Sequence, residues 1–409
     1  MTEAAALQRG GAWAQHARVA LHHVARRVLP LTLGLRQRYA RSGYERLLMA
    51  YRLDFLRQHQ AFPEGVPYTL LWRQRVAPAA WAYRLRAPAG VRHEPGDVLL
   101  LRWRNADDEV QALLDRLGWR GDERLRLRGA SSAFTPGRWH PVDARRALRD
   151  MIDLRAAVEA GALERPVSMP SPAQLAAWPR IQPRSYSLSA IEPGASGEEV
   201  EIVVSDAAVS GADGTSRLGR CTGHLARLRA GETLRGWPLS FPLTLQPPHA
   251  TASTPLLIVA TGIAAAGPLL ELQHVPAQRP VWLLCGLRHA DMAQAFTRRL
   301  LAAAAARPGL RLDIALSRDA APAEARTGHW HGHCRVQDVL RAQSARLQAL
   351  LEAGGDIVVI GHTSMGDALR ALLREHLRSS RRAASEAEAA AQLVRLEHAL
   401  RVQYSLSGR

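Results

Sequence analysis

From residue 255 to residue 378 the chain alternates short apolar runs with longer amphipathic stretches, and few folds accept that pattern. The runs predict strands at 256–260, 281–285, 311–316 and 356–360. The stretches between and after them predict helices at 265–274, 290–306, 337–352 and 364–378. Strands separated by helices build a doubly wound parallel sheet, because a parallel pair needs a crossover. Ligands of such sheets bind past the carboxyl ends of the strands. Each predicted strand is followed by a polar or glycine-bearing turn: Thr261-Gly262, Gly286-Leu287-Arg288, Ser317-Arg318 and Gly361-His362. A last helix at about 384–401 and a short tail complete this part.

Upstream the period differs. Residues 1–65 read as basic amphipathic helices broken at Pro30. Tyr68–Val76, Ala82–Leu85 and Val98–Trp103 read as strands of an antiparallel sheet or barrel. Residues 106–176 read as a helical insertion with a small core of its own. Strands resume at Arg184–Ala190, Glu199–Ser205 and Arg217–Thr222, followed by a short helix at Thr222–Leu228. The proline-rich stretch 238–255 holds one last strand and a linker. The resulting division is a helical extension (1–65), a β-barrel with its insertion (66–250) and a parallel α/β unit (251–409).

All 54 basic side chains are Arg, and they outnumber the 37 acidic ones to give a net charge of +17. Such a charge favours acidic partners. No nucleic-acid recognition motif accompanies it, so nucleic acid is not expected. The most apolar run, residues 255–270, is short for a membrane span and contains Pro268. No transmembrane segment is expected, although the basic helices near the N-terminus could rest on a membrane surface. Cys221, Cys285 and Cys334 are too scattered for a disulfide framework, and no signal-peptide layout is present. A cytoplasmic location follows as the expectation.

Two motifs carry chemistry. In Arg184-Ser185-Tyr186-Ser187, alternation on a strand puts Arg184 and Tyr186 on one face. An Arg fork neutralises phosphate, a Tyr ring offers a planar surface, and a Ser hydroxyl can bond a ring nitrogen. Gly219-Arg220-Cys221-Thr222 follows a strand and opens a helix, which aims backbone N–H groups at an anion such as a pyrophosphate.

Around these motifs the chain resembles the reductase portion of the diflavin reductases. These are the sulfite reductase flavoprotein and cytochrome P450 reductase family, within the ferredoxin–NADP reductase superfamily. The matching segments are EPGDVLLLRWRN (94–105), ALLDRLGWRGDE (112–123), PRSYSLSA (183–190), GRCTGHLARLRAGE (219–232), CGLRHADM (285–292), LDIALSRD (312–319), RVQDVLR (335–341) and DIVVIG (356–361). The resemblance implies an FAD-binding barrel and an NADP(H)-binding Rossmann-like unit. It implies that Arg184, Tyr186 and Ser187 contact FAD, with Ser187 at the reactive nitrogen as the catalytic candidate. Gly219, Arg220, Cys221 and Thr222 would hold the FAD pyrophosphate. Thr261, Gly262, Arg288, Ser317, Arg318 and Gln337 would line the NADPH site, with Ser317 and Arg318 on the 2′-phosphate. The family's FMN-binding domain has no counterpart in these residues.

The sequence also departs from that family. Its glycine-rich turn is ATGIAAAGP here, its Cys-Gly-Asp is Ile360-Gly361-His362, and the tail offers Tyr404 but no Asp. HWHGHC (329–334) has the residue types of a zinc site but no second ligand pair, and no metal is expected. Cys221 and Cys285 fit cofactor turns better than a thiol enzyme. The expected function is hydride transfer from NADPH to FAD, then electron transfer to a separate, acidic acceptor protein carrying FMN, an iron–sulfur centre or haem. The alternative is an FAD-binding regulatory subunit without efficient NADPH turnover.

Overall fold

The computed structural model describes residues 65–407, except 79, 95–96, 129–138, 160–177, 207, 211–215, 240–244, 263–271, 273–274, 291–305, 323–328 and 381. The expected N-terminal helices, and most of the expected helices at 265–274 and 290–306, lie outside the described residues.

The first half opens with β1 (Val66–Ala77), β2 (Ala80–Arg86) and β3 (Val98–Arg102). An insertion follows, with α1 (Asp107–Leu117), β4 (Arg124–Arg128), β5 (Trp139–Asp143), α2 (Ala144–Asp150) and α3 (Leu154–Glu159). Next come β6 (Arg184–Gly194), β7 (Gly197–Ser205), β8 (Ala208–Ser210), β9 (Ser216–Leu218), α4 (Arg220–Arg227) and β10 (Thr233–Leu239). Six of these strands close into an antiparallel barrel in the order β1-β10-β3-β6-β7-β2. Closure leaves no unpaired edge. The alternation of β1 explains its seat: Val66, Tyr68 and Leu70 are buried while Pro67 is exposed. Tyr68, Leu70, Leu85, Leu99, Leu101, Val200 and Ile202 fill the lumen.

The insertion has its own core around Leu114, Leu127, Leu148, Ile152 and Trp178. It is not wholly helical as expected. Residues 124–128 read RLRLR, a period of two that pairs as the hairpin β4–β5 and buries Leu125 and Leu127. Two neighbouring boundaries also differ from expectation. Thr222 belongs to α4 rather than to a strand, and β10 ends at Leu239, where the proline-rich stretch begins.

The second half contains β11 (Leu256–Thr261), β12 (Val281–Leu287), β13 (Leu310–Leu316) and β14 (His329–His331). It continues with α5 (Val336–Ala342), α6 (Ser344–Glu352), β15 (Asp356–His362), α7 (Thr363–Ser379), α8 (Glu386–His398) and β16 (Val402–Ser407). The sheet order is β14-β13-β12-β11-β15-β16, and every pairing is parallel. Chain order reverses between β11 and β15, so the topological switch point lies there. One face is covered by α5 to α8. Against the other lie Leu272, Val275 and, from the barrel, Ala77, Ala80, Ala82 and Val203.

The single helix expected at 337–352 is two helices. Gln343 leaves helical geometry, and its side chain bonds the buried Asp313 at 3.1 Å. The expected short tail is the edge strand β16, whose Tyr404 is fully buried under the Arg370 guanidinium, 4.3 Å from the ring centroid. No described helix is long and apolar enough to cross a membrane.

Candidate functional site

On the barrel, β3 and β6 pair so that Arg184 faces Leu101, Tyr186 faces Leu99 and Ser187 faces Val98. Arg184 is exposed, and its side chain makes no hydrogen bond or ion pair among the described residues. Tyr186 is half-buried against the barrel core, and its hydroxyl donates to Cys221 Sγ at 3.3 Å. That bond joins the strand motif to the first turn of α4, across 35 residues of sequence. Both partners stay protonated near neutrality. Burial pushes the Cys221 thiol up to about 11 and pushes the Tyr186 phenol higher still.

Gly219 caps α4 without a side chain, so the first N–H groups of the helix have no intrahelical acceptor. The turn is tightened by Gly223 N–H to Gly219 O at 2.7 Å and by Thr222 Oγ1 to the same carbonyl at 2.9 Å. Arg220 is turned away towards the insertion. It lies 2.7 Å from Asp153 Oδ1 and 3.1 Å from Glu159 Oε2, while Arg155 donates to Leu218 O. At this turn the backbone and Arg184 are therefore available to an anion, whereas the Arg220 side chain fixes the turn to the insertion.

At the carboxyl edge of the parallel sheet, Thr261 ends β11 in register with Gly286 of β12. A Cβ on Gly286 would come within 2.9 Å of Thr261 Cγ2, and one on Gly361 within 2.1 Å of Thr261 Oγ1. Gly361 also has φ of 152°. Thr261 thus occupies a slot that only two glycines leave open, at the switch point. Gly262, with φ of 62°, turns the chain away. These steric roles of Gly286 and Gly361 were not read from the sequence, although both glycines stood in the turns that marked the edge.

Arg288, Ser317 and Arg318 are brought together by backbone bonds. Ser317 N–H donates to Leu287 O at 2.9 Å, and Arg318 N–H to Arg288 O at 3.0 Å. All three side chains are exposed, and neither Arg has an acidic partner among the described residues. Gln337, half-buried, lies in the first turn of α5, whose approach is tied in by Cys334 N–H to Leu316 O. Asp319 holds this edge from behind. It accepts from Ala290 N–H at 2.7 Å and lies 2.9 Å from His289 Nδ1, contacts that lower its carboxyl below the usual range. No described hydrogen bond or ion pair joins the barrel group to the sheet group.

Three other sequence features resolve differently. His331 Nε2 lies 2.7 Å from the buried Asp313, which also accepts from Trp282, Arg311 and Gln343. That imidazole is committed to holding β14 in place. His362 caps α7 through Nδ1, which accepts from Ser364 N–H at 3.2 Å. Tyr404 packs inside the fold and does not line the carboxyl edge.

No protein-family model matches the chain. A stretch of 112 residues is 30% identical to the protein named NADPH-dependent diflavin oxidoreductase 1 from Aspergillus fumigatus. The match covers 23% of this chain and 17% of that protein.

Proposed function

We propose that the chain is an FAD-containing, NADPH-dependent oxidoreductase that passes electrons to a separate acceptor protein. The observation that carries this reading is the Tyr186–Cys221 bond, which makes one surface from a planar aromatic platform and an open helix N-terminus. A flat ring system joined to a pyrophosphate fits that pair of features. The unpaired guanidinium groups of Arg288 and Arg318, flanking Ser317, suit the 2′-phosphate of NADPH. The name of the Aspergillus relative supports the same chemistry.

Bound FAD and NADPH would supply the hydride chemistry. The residues of this chain bind and orient. Arg184 neutralises phosphate, Tyr186 supports the ring, and Ser187 offers its hydroxyl to the ring nitrogen. The α4 N–H groups hold the pyrophosphate, while Thr261 and Gly262 shape the floor of the switch-point crevice. The acceptor is acidic and carries FMN, an iron–sulfur centre or haem, since a net charge of +17 steers acidic partners. A cytoplasmic setting suits the three free cysteines.

A second reading is an FAD-binding regulatory subunit without NADPH turnover. Two observations favour it: Tyr404 is locked inside the fold, and His362 stands where the family has Asp. One experiment separates the readings. Absorption of the purified chain is recorded before and after anaerobic NADPH, then NADH. Bleaching by NADPH, and more slowly by NADH, is the expected outcome; a yellow protein that neither donor bleaches favours the regulatory subunit.

A further inference from the structure

β15 is buried along its length except at its last residue, His362. It is one of the two strands that flank the switch point; the other, β11, ends at Thr261. Gly361 fixes the peptide that leads into His362. A Cβ there would meet Thr261 Oγ1 at 2.1 Å and Met365 Cε at 3.0 Å, and its φ is 152°. His362 is then the N-cap of α7, a helix of 17 residues. Caps are ordinarily Ser, Thr, Asp or Asn, whose side-chain oxygens accept from a first-turn N–H. Here the imidazole does so: Nδ1 accepts from Ser364 N–H at 3.2 Å and lies 2.8 Å from Ser364 Oγ. A ring nitrogen that accepts carries no proton, so the proton of the neutral ring sits on Nε2. The ring is exposed, and Nε2 has no hydrogen-bond or ion-pair partner among the described residues. The cap thus sets both the ring and its tautomer, and leaves one N–H donor unused at the rim of the switch-point crevice.

We propose that His362 is a specificity-determining residue for the nicotinamide end of the dinucleotide, its Nε2–H donating to the carboxamide oxygen. The proposal rests on the reductase reading above, which seats the 2′-phosphate at the turns that follow β12 and β13. The sheet order puts β13 three strand intervals from β15, roughly 14 Å along the carboxyl edge. A dinucleotide laid along that edge, with its phosphate end at Ser317 and Arg318, has its other end at Thr261 and His362. A carboxamide offers two contacts of opposite sense, an accepting oxygen and a donating NH₂. A donor at His362 takes the oxygen. The Asp that the family resemblance puts at this position is acceptor-only and takes the NH₂. Either residue caps α7, so the helix start is kept while the hydrogen-bond sense is reversed. In the reductase reading the histidine is therefore a change of polarity at the nicotinamide, not the loss of a contact.

The test measures calorimetric binding of three ligands to the full-length wild-type chain, H362S and H362D. Ser and Asp both cap helices, so neither variant should lose α7. The ligands are NADP⁺, its 3-acetylpyridine analogue and adenosine 2′,5′-bisphosphate. The analogue keeps the carbonyl and has a methyl group in place of NH₂; the bisphosphate has no nicotinamide and reports the phosphate end alone. The wild type should bind NADP⁺ and the analogue within about twofold of each other, since both present the oxygen. H362S, which lacks the donor, should weaken both about fivefold. H362D should hold NADP⁺ through its NH₂ and bind the analogue about tenfold more weakly than NADP⁺. The bisphosphate should stay within about twofold across the three chains. The proposal is overturned if the wild type itself prefers NADP⁺ to the analogue about tenfold, or if H362D discriminates no more than the wild type. It is equally overturned if H362S binds both dinucleotides like the wild type, or if the bisphosphate weakens in step with NADP⁺, which would leave His362 a helix cap only. In each of those cases the reductase reading stands. A wild type that does not bind the bisphosphate would sink that reading and this assignment together.

Discussion

At the barrel, side chains fasten the walls of the candidate site to one another, and of its candidate ligand groups only Arg184 stands exposed. Tyr186 holds Cys221, Arg220 is clamped by Asp153 and Glu159, and Arg73 caps the far end of α4. At the carboxyl edge of the parallel sheet, backbone bonds align the turns, and the side chains of Arg288, Ser317 and Arg318 stand free in solvent. The first arrangement, the Arg184 side chain aside, is built before a ligand arrives, so a bound ligand would have little to order. The second must order its arginines on each encounter, which suits a ligand that comes and goes. The contrast is what a resident cofactor and an exchanging cosubstrate require.

The largest effect that could break this contrast is steric. Gly361→Ala places a methyl group 2.1 Å from Thr261 Oγ1, at a φ of 152°. It should cost on the order of 3 kcal/mol of stability, read by thermal unfolding. Nucleotide binding should suffer while FAD remains with the barrel; flavin loss instead would show that the two sites are not independent. Next in size, Arg318→Ala should raise the KM for NADPH by about 10- to 100-fold and change that for NADH far less. An equal effect on both donors would remove Arg318 from the 2′-phosphate.

The folds and turns were legible to different degrees. The closed barrel and the parallel sheet follow from period and breakers, because both patterns are local. The strand through PRSYSLSA and the helix that starts after Gly219 were legible for the same reason. The Arg220 clamp was not, since its carboxylates lie 67 and 61 residues upstream in the chain. Nor was the Thr261 slot, where two distant glycines acquire a role only when their strands flank β11. RLRLR within the insertion shows the opposite failure, a local signal overlooked because helices surround it. Tyr404 shows a third kind: an aromatic residue near the C-terminus reads as a ligand cover until the edge strand buries it.

Acid should separate the two regions by a middling amount. The His224 imidazole on α4 is pushed down from 6.5 to about 4, chiefly by burial, with Arg227 and Arg104 adding. The unfolded chain therefore binds a proton in that interval that the folded barrel refuses. The stability involved is fully present above pH 6.5 and is lost as the pH falls towards 4. Flavin fluorescence should rise over this window as FAD is released, and His224→Gln should flatten the rise. The smallest expected effect is that of Cys221→Ala. Losing one hydrogen bond of about 1 kcal/mol should weaken FAD about fivefold, and Cys221→Ser should restore it.

The contrast itself is most directly tested by what each region retains. The purified chain is saturated with FAD and NADP⁺, desalted exhaustively, and the flavin and nucleotide left on it are quantified before NADP⁺ is titrated back by calorimetry. Stoichiometric FAD with no residual nucleotide, and reversible NADP⁺ binding on titration, is the predicted result. Flavin that washes away while nucleotide stays, or a chain that retains FAD but never rebinds NADP⁺, would contradict it.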